Sequence, residues 1–288
     1  MDFTEEAAVT AVKESFAPGT DPRLAELVGG LVDHLHTYVR EVRPTVEEWN
    51  TAIGFLTAVG QTCSDTRQEF VLLSDVLGVS MLIETINGQE TGTESTVLGP
   101  FHMTESPRRE IGDSIDELTG GRDCVVELRV LGADGTPLPG ATVDVWQATA
   151  EGFYDVQQPD VQPPGNGRGL FTADDEGRVR FRSVVPSHYP IPTDGPVGEL
   201  LGALGRHGYR PAHVHVIASA AGHRELTTHL FVADSAYIDS DAVFAVKRSL
   251  IVDFEQVDDQ AVAARYGIDA PFRLARYDVV LDPAPAQA

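Results

Sequence analysis

Cysteine is scarce: the 288 residues contain two, Cys63 and Cys124, far apart and without a CxxC partner. That argues against a disulfide framework or a cysteine-built zinc cage, and both thiols are expected to be buried and reduced. Basic residues are also few, 21 Lys and Arg against 44 Asp and Glu, for a formal net charge of −23. Such an excess repels phosphate backbones and anionic lipid, which argues against nucleic-acid and membrane partners. No run approaches the ~18 apolar residues that span a bilayer. The opening MDFTEEAAVT has neither the basic nor the apolar segment of a secretory leader, so the expected address is the cytoplasm. No repeat of roughly 20 to 50 residues is found, and the tail DPAPAQA is expected to be disordered. What remains, 42% hydrophobic and 23% charged residues, is the composition of a folded domain.

From about residue 5 to 88 apolar residues recur at helical spacing, and Pro is confined to positions 18, 22 and 44. Leu24, Leu27, Val28, Leu31, Leu35 and Tyr38 trace one stripe. FVLLSDVLGVSMLIETIN, residues 70–87, is apolar around most of its girth and predicts one buried helix, stopped by Asn87-Gly88. Residues 89–120 form a polar connector. After about residue 122 the pattern becomes alternating, with strands expected in CVVELRVLG, TVDVWQAT, LFTADDEGRVRFRSV, AHVHVIAS, LTTHLFV and LARYDVVL. The expected class is α+β: an N-terminal all-helical domain and connector over residues 1–100, followed by a β-sandwich over 101–288.

Chemistry concentrates in RPAHVHVIAS. His213 and His215 are two residues apart on a strand, so their rings share a face and can converge on one metal. Such a pair also occurs in zinc enzymes, cupin-like proteins and ordinary polar strands. His229 in TTHLFV could complete a three-histidine site. Tyr154 in EGFYDVQ and Tyr189 in HYPIPTDGPVG offer another completion, since a phenolate is a hard oxygen donor suited to ferric iron. A metal-free β-sandwich binding module is the remaining reading.

These segments, together with ESTVLGPFH and DGTPLPGATVDVWQA, resemble the intradiol ring-cleavage dioxygenases over nearly the whole chain. The resemblance implies a mononuclear non-haem Fe(III) centre on Tyr154, Tyr189, His213 and His215. Tyr189 would be the ligand released when substrate chelates, and Arg210 would lie over the substrate ring. LLSDVLGVSMLIETIN, TESTVLGPFH and LTTHLFVADSAYIDSDAVFAVKRSLIVDF resemble the branch acting on hydroxyquinol (benzene-1,2,4-triol), giving 3-hydroxymuconate and then maleylacetate; the alternative is the catechol branch, giving cis,cis-muconate. The catechol branch usually shows Gln where this chain has His229. The pocket positions correspond to Leu72, Asp75, Val97, Leu98, Gly99, Pro100, Phe101, Ile191, Arg210 and Val243. The implied partners are a small aromatic diol or triol, O2 and a second copy of the chain joined through the helices, with a phospholipid between them.

Overall fold

The computed structural model describes residues 3–64, 67–102, 105–118 and 120–285. The chain divides into two compact units, Met1–Ala58 and Val59–Ala288. The first holds α1 (Ala8–Glu14), α2 (Pro22–Val42) and most of α3 (Val46–Thr62). Helix α2 starts where Asp21 accepts a hydrogen bond from the Leu24 amide at 2.9 Å and Pro22 takes the first helical position. It ends at Arg43, whose left-handed φ of 54° closes the last turn. Its apolar stripe, Leu24 to Tyr38, is exposed in the single chain.

In the second unit the single buried helix expected over 70–87 is instead two, α4 (Glu69–Val76) and α5 (Val79–Asn87). Gly78 lies between them with φ 73°, a conformation that interrupts the helical hydrogen-bond ladder and that glycine adopts without steric cost. Leu72, Leu73, Val76 and Met81 are buried, whereas Phe70, Leu77, Val79, Leu82, Ile83 and Ile86 are exposed. The break at Gly78 lets each short helix give part of its surface to the core and leaves the rest exposed among the described residues. Helix α5 does stop at Asn87, but Gly88 leaves it extended rather than left-handed (φ −63°, ψ −178°).

The strands follow as β1 (Asp123–Gly132), β2 (Thr142–Gln147), β3 (Arg168–Thr172), β4 (Arg178–Val184) and β5 (Tyr189–Pro190), then, after helix α6 (Pro196–Ala203), β6 (Tyr209–Arg210), β7 (His213–Ser219), β8 (Leu226–Val232), β9 (Ile251–Val252) and β10 (Glu255–Val257), and, after helix α7 (Gln260–Tyr266), β11 (Phe272–Leu281). One sheet runs β10-β11-β1-β4 and the other β3-β2-β7-β8-β9, while β5 and β6 form a separate ribbon. Inward side chains of both sheets meet in one core, among them Val126, Leu128 and Phe181 from the first and Val143, Val216 and Leu230 from the second. The strands expected from alternation are present. The short β5, β6, β9 and β10 and the helices α6 and α7 carry too few residues to show a period.

Two smaller expectations need correction. The tail is ordered through Ala284: Asp282 accepts from the Glu90 amide and the Thr91 hydroxyl at 2.7 Å each, and the Ala284 amide donates to Gly222. Residues 286–288 lie outside the described residues. Both cysteines are free, but only Cys124 is buried in the core; Cys63 is half-buried at the end of α3. No helix among the described residues is long and apolar enough to cross a membrane.

Candidate metal centre

Strand β7 lies between β2 and β8 in a register that sets Trp146 opposite His215 and His215 opposite His229. Three side chains from three strands therefore share one face, joined there by His213 through the two-residue strand repeat. Tyr154 enters from the loop after β2, where its amide donates to the Gln157 side chain at 2.9 Å. Tyr189 enters on the β5–β6 ribbon, paired with Arg210. The two tyrosine-bearing segments pass so closely that a Cβ on Gly152 would stand 2.9 Å from the His188 carbonyl oxygen.

The donor atoms converge. Tyr154 Oη is 3.0 Å from His215 Nε2 and 3.3 Å from Tyr189 Oη, Tyr189 Oη is 3.4 Å from His213 Nε2, and the two Nε2 atoms are 3.1 Å apart. All four side chains are at most 3% exposed. His213 Nδ1 donates to the Pro211 carbonyl at 2.7 Å, so its Nε2 carries a lone pair aimed at the other three donors. Burial, aided by the Arg210 charge, holds the His213, His215 and His229 rings well below their ordinary pKa, in the neutral form that binds metals. Burial, with Tyr189 beside it, pushes the Tyr154 hydroxyl well above 10.0, so a phenolate there requires a cation among these atoms. Two phenol oxygens and two imidazole nitrogens gathered in a buried site are a donor set that fits a bound metal ion.

His229 also belongs to the buried histidine cluster, whose ring nitrogens lie within 4.8 Å of one another. Its Nδ1, however, is hydrogen-bonded to the Thr96 hydroxyl, and its Nε2 lies 3.5 Å from Arg210 Nη1. His213 Nε2 lies at the same 3.5 Å from Arg210 Nη1, so what separates the rings is that His213 and His215 make the contacts to the tyrosine oxygens, whereas the side-chain hydrogen bonds of His229 go to Thr96 and Arg210.

Around the donors, Phe101 stacks on Tyr154 at 4.6 Å and Trp146 lies nearly parallel to His215 at 4.5 Å. A Cβ on Gly99, whose φ is 79°, would stand 3.0 Å from His215 Cε1. Leu72, Asp75, Val97, Gly99, Pro100, Phe101, Ile191 and Val243 line one crevice with Tyr189 and Arg210; Tyr154 does not line it. Leu98 instead faces a neighbouring cavity of about 460 Å³ that shares several of these walls. Burial raises the Asp75 carboxyl above 3.8, partly opposed by a Ser80 hydrogen bond and by Arg210.

Sequence reasoning did not single out Thr96, Trp146, Asp155, Arg168 or Asp241. Asp155 accepts from Arg168 Nε at 2.9 Å and from the Gly165 amide at 2.9 Å, and Arg168 donates to the Phe101 carbonyl at 2.9 Å. This buried pair joins the Tyr154 turn to the crevice wall. Its one local signal was the charge next to Tyr154.

Comparison with known proteins agrees with this architecture along the chain. The family described as "Catechol dioxygenase N terminus" matches residues 21–94, and that described as "Dioxygenase" matches residues 99–283. A hydroxyquinol 1,2-dioxygenase of Rhizobium sp. (strain MTP-10005) is 49% identical over 284 residues, covering 95% of this chain and 96% of its own. A 6-chlorohydroxyquinol 1,2-dioxygenase of Cupriavidus pinatubonensis is 44% identical, with 98% and 99% covered. The solved structure of a hydroxyquinol 1,2-dioxygenase from Pseudomonas putida DLL-E4 superposes with a TM-score of 0.90 at 44% identity, covering 97% of this chain and 99% of that one. A helical N-terminal part, a sheet-rich part bearing a buried metal-type donor cluster and whole-length relatives all agree: this chain belongs to the intradiol ring-cleavage dioxygenases.

Proposed function

We propose that Tyr154, Tyr189, His213 and His215 hold a ferric ion, and that the chain uses O2 to cleave benzene-1,2,4-triol between its adjacent hydroxyl-bearing carbons. Both oxygen atoms enter the product, 3-hydroxymuconate, so no external reductant is consumed; tautomerisation gives maleylacetate. One observation carries the reading: two phenol oxygens and two imidazole nitrogens meet at 3.0–3.4 Å beside a mainly apolar crevice. Hard oxygen with imidazole is a donor set suited to ferric iron. When bound, the ion supplies a Lewis acid that lets the diol lose its protons near neutral pH.

The chain's own groups do the rest. Tyr189 lines the crevice and Tyr154 does not, so Tyr189 Oη is the ligand oxygen that meets the diol and takes a proton from one of its hydroxyls. Arg210 reaches the crevice from beside His213 and stabilises negative charge developing on the ring. Leu72, Val97, Ile191 and Val243 exclude water, and Asp75 accepts a hydrogen bond from the third hydroxyl. The substrate choice is supported by the hydroxyquinol enzymes among the relatives.

The reading extends to the helices of residues 1–100 as a dimerisation part, with a phospholipid between the copies, and to a cytoplasmic site of action. The exposed apolar stripe of α2 supports burial against a second copy. Metal analysis with a visible spectrum tests the centre, since a tyrosinate bound to ferric iron gives a charge-transfer band that zinc cannot. One iron per chain, that band, and a higher kcat/KM for the triol than for catechol are expected. Stoichiometric zinc without colour would refute the centre, and preference for catechol would refute the substrate.

A further inference from the structure

We propose that Asp241 is a positioning residue that aims the Arg210 guanidinium at the ring of the bound substrate. This inference rests on the ferric dioxygenase reading above.

Arg210 is 2% exposed and Asp241 6%, so the cation must be compensated within the protein. Arg210 Nε donates to Asp241 Oδ1 at 3.2 Å and Nη2 to Oδ2 at 3.4 Å. One edge of the planar fork is thus anchored at two atoms, which fixes its plane. The remaining nitrogen, Nη1, faces His213 Nε2 and His229 Nε2 at 3.5 Å each. The anchored edge points away from the metal centre and the free edge toward it.

Asp241 is itself immobilised. Oδ1 also accepts from the Val243 amide at 3.3 Å and Oδ2 from the Ala245 amide at 3.0 Å. The turn is tied to helix α4 by Arg206, which donates to the Ala242 carbonyl at 2.9 Å and the Val76 carbonyl at 2.6 Å. Arg206 also lies 4.8 Å over the ring of Phe244, which adopts a left-handed φ of 60°. The same turn supplies the Val243 wall of the crevice. Asp75 is the acidic residue lining that crevice, so without Asp241 the Arg210 charge is drawn toward Asp75, into space the ring must occupy. Asp241 therefore does more than neutralise a charge: it chooses which carboxylate the arginine answers to.

The test is a mutant cycle on the iron-loaded full chain. Asp241→Asn keeps the shape but loses the charge; Asp241→Glu keeps the charge but shifts both oxygens by one methylene, and decides the matter if Asp241→Asn does not fold. Either should lower kcat roughly 10- to 100-fold, as loss of an orienting partner commonly does. The Kd for the triol, measured without O2 so that cleavage cannot proceed, should rise as well, because the displaced guanidinium enters the ring's space and engages Asp75. In an Arg210→Lys background, which has no fork to aim, Asp241→Asn should cost less than about threefold.

A readout independent of turnover is the Nε–H resonance of Arg210 in 15N-arginine protein loaded with diamagnetic gallium(III) in place of ferric iron, assigned by its loss in Arg210→Lys and expected to shift or broaden in Asp241→Asn. Unchanged kcat, fully additive losses in the double variant, or an unmoved resonance would each overturn the proposal. Failure of the parent chain to cleave any diol would refute the dioxygenase reading instead, and the resonance would still report whether Asp241 holds Arg210.

Discussion

Replacing Asp75 tests how the crevice distinguishes a triol from a diol. Its carboxyl is 6% exposed on α4 and shares the crevice with Leu72, Val97, Ile191 and Val243, which offer no polar side-chain atom. A hydrogen bond to a charged group contributes about 1.5–3 kcal/mol, which corresponds to roughly 10- to 150-fold in a rate or binding constant. Asp75→Ala should therefore lower kcat/KM for benzene-1,2,4-triol by that factor and leave catechol unchanged or improved, since catechol leaves the carboxylate unpaired. The assay is steady-state cleavage of both substrates by the parent and variant enzymes under identical O2. A triol-to-catechol ratio that survives the substitution would refute the reasoning and move the preference to the electron density of the ring. The same residue makes a stability prediction. Burial raises its pKa above 3.8, so its contribution is favourable below that pH and is lost as pH rises through the higher folded value. Asp75→Asn should gain Tm relative to the parent across that window, and a difference independent of pH would count against it.

Other substitutions probe the centre itself. His213→Ala or His215→Ala should reduce iron content by more than the roughly 10- to 100-fold typical of outer partners, whereas Tyr154→Phe should shift or bleach the visible band; an unchanged band and turnover would remove Tyr154 from the ligand set. Arg210→Lys keeps a charge but loses the planar fork, and should lower kcat by roughly 10² with iron retained; equal kcat values would exclude Arg210 from the chemistry. Gly99→Ala combines a left-handed φ of 79° with a Cβ 3.0 Å from His215 Cε1. It should destabilise the fold by at least about 1–2 kcal/mol and weaken iron retention, as read by thermal melts and metal analysis.

The α+β class and the main strands were legible because alternation and helical spacing are local properties, written within about ten residues of each other. The pairing of His213 with His215 was legible for the same reason: two residues along a strand return to one face whatever the rest of the chain does. The segments around Tyr154, Tyr189 and Arg210 stood out through their resemblance to a family, since nothing in their spacing places a phenol 3.0 Å from an imidazole. That meeting was decided by the register of β2, β7 and β8 and by the β5–β6 ribbon, which join residues far apart in sequence. The break at Gly78 escaped periodicity because both halves of 70–87 keep the same apolar character, while the left-handed backbone at Gly78 ends one helix and starts the next. The order of Asp282 to Ala284 escaped composition because it comes from hydrogen bonds to residues 90, 91 and 222. Asp241 had no local signal at all. Its place beside Arg210, 31 residues away, exists only because a buried cation must find its carboxylate in three dimensions.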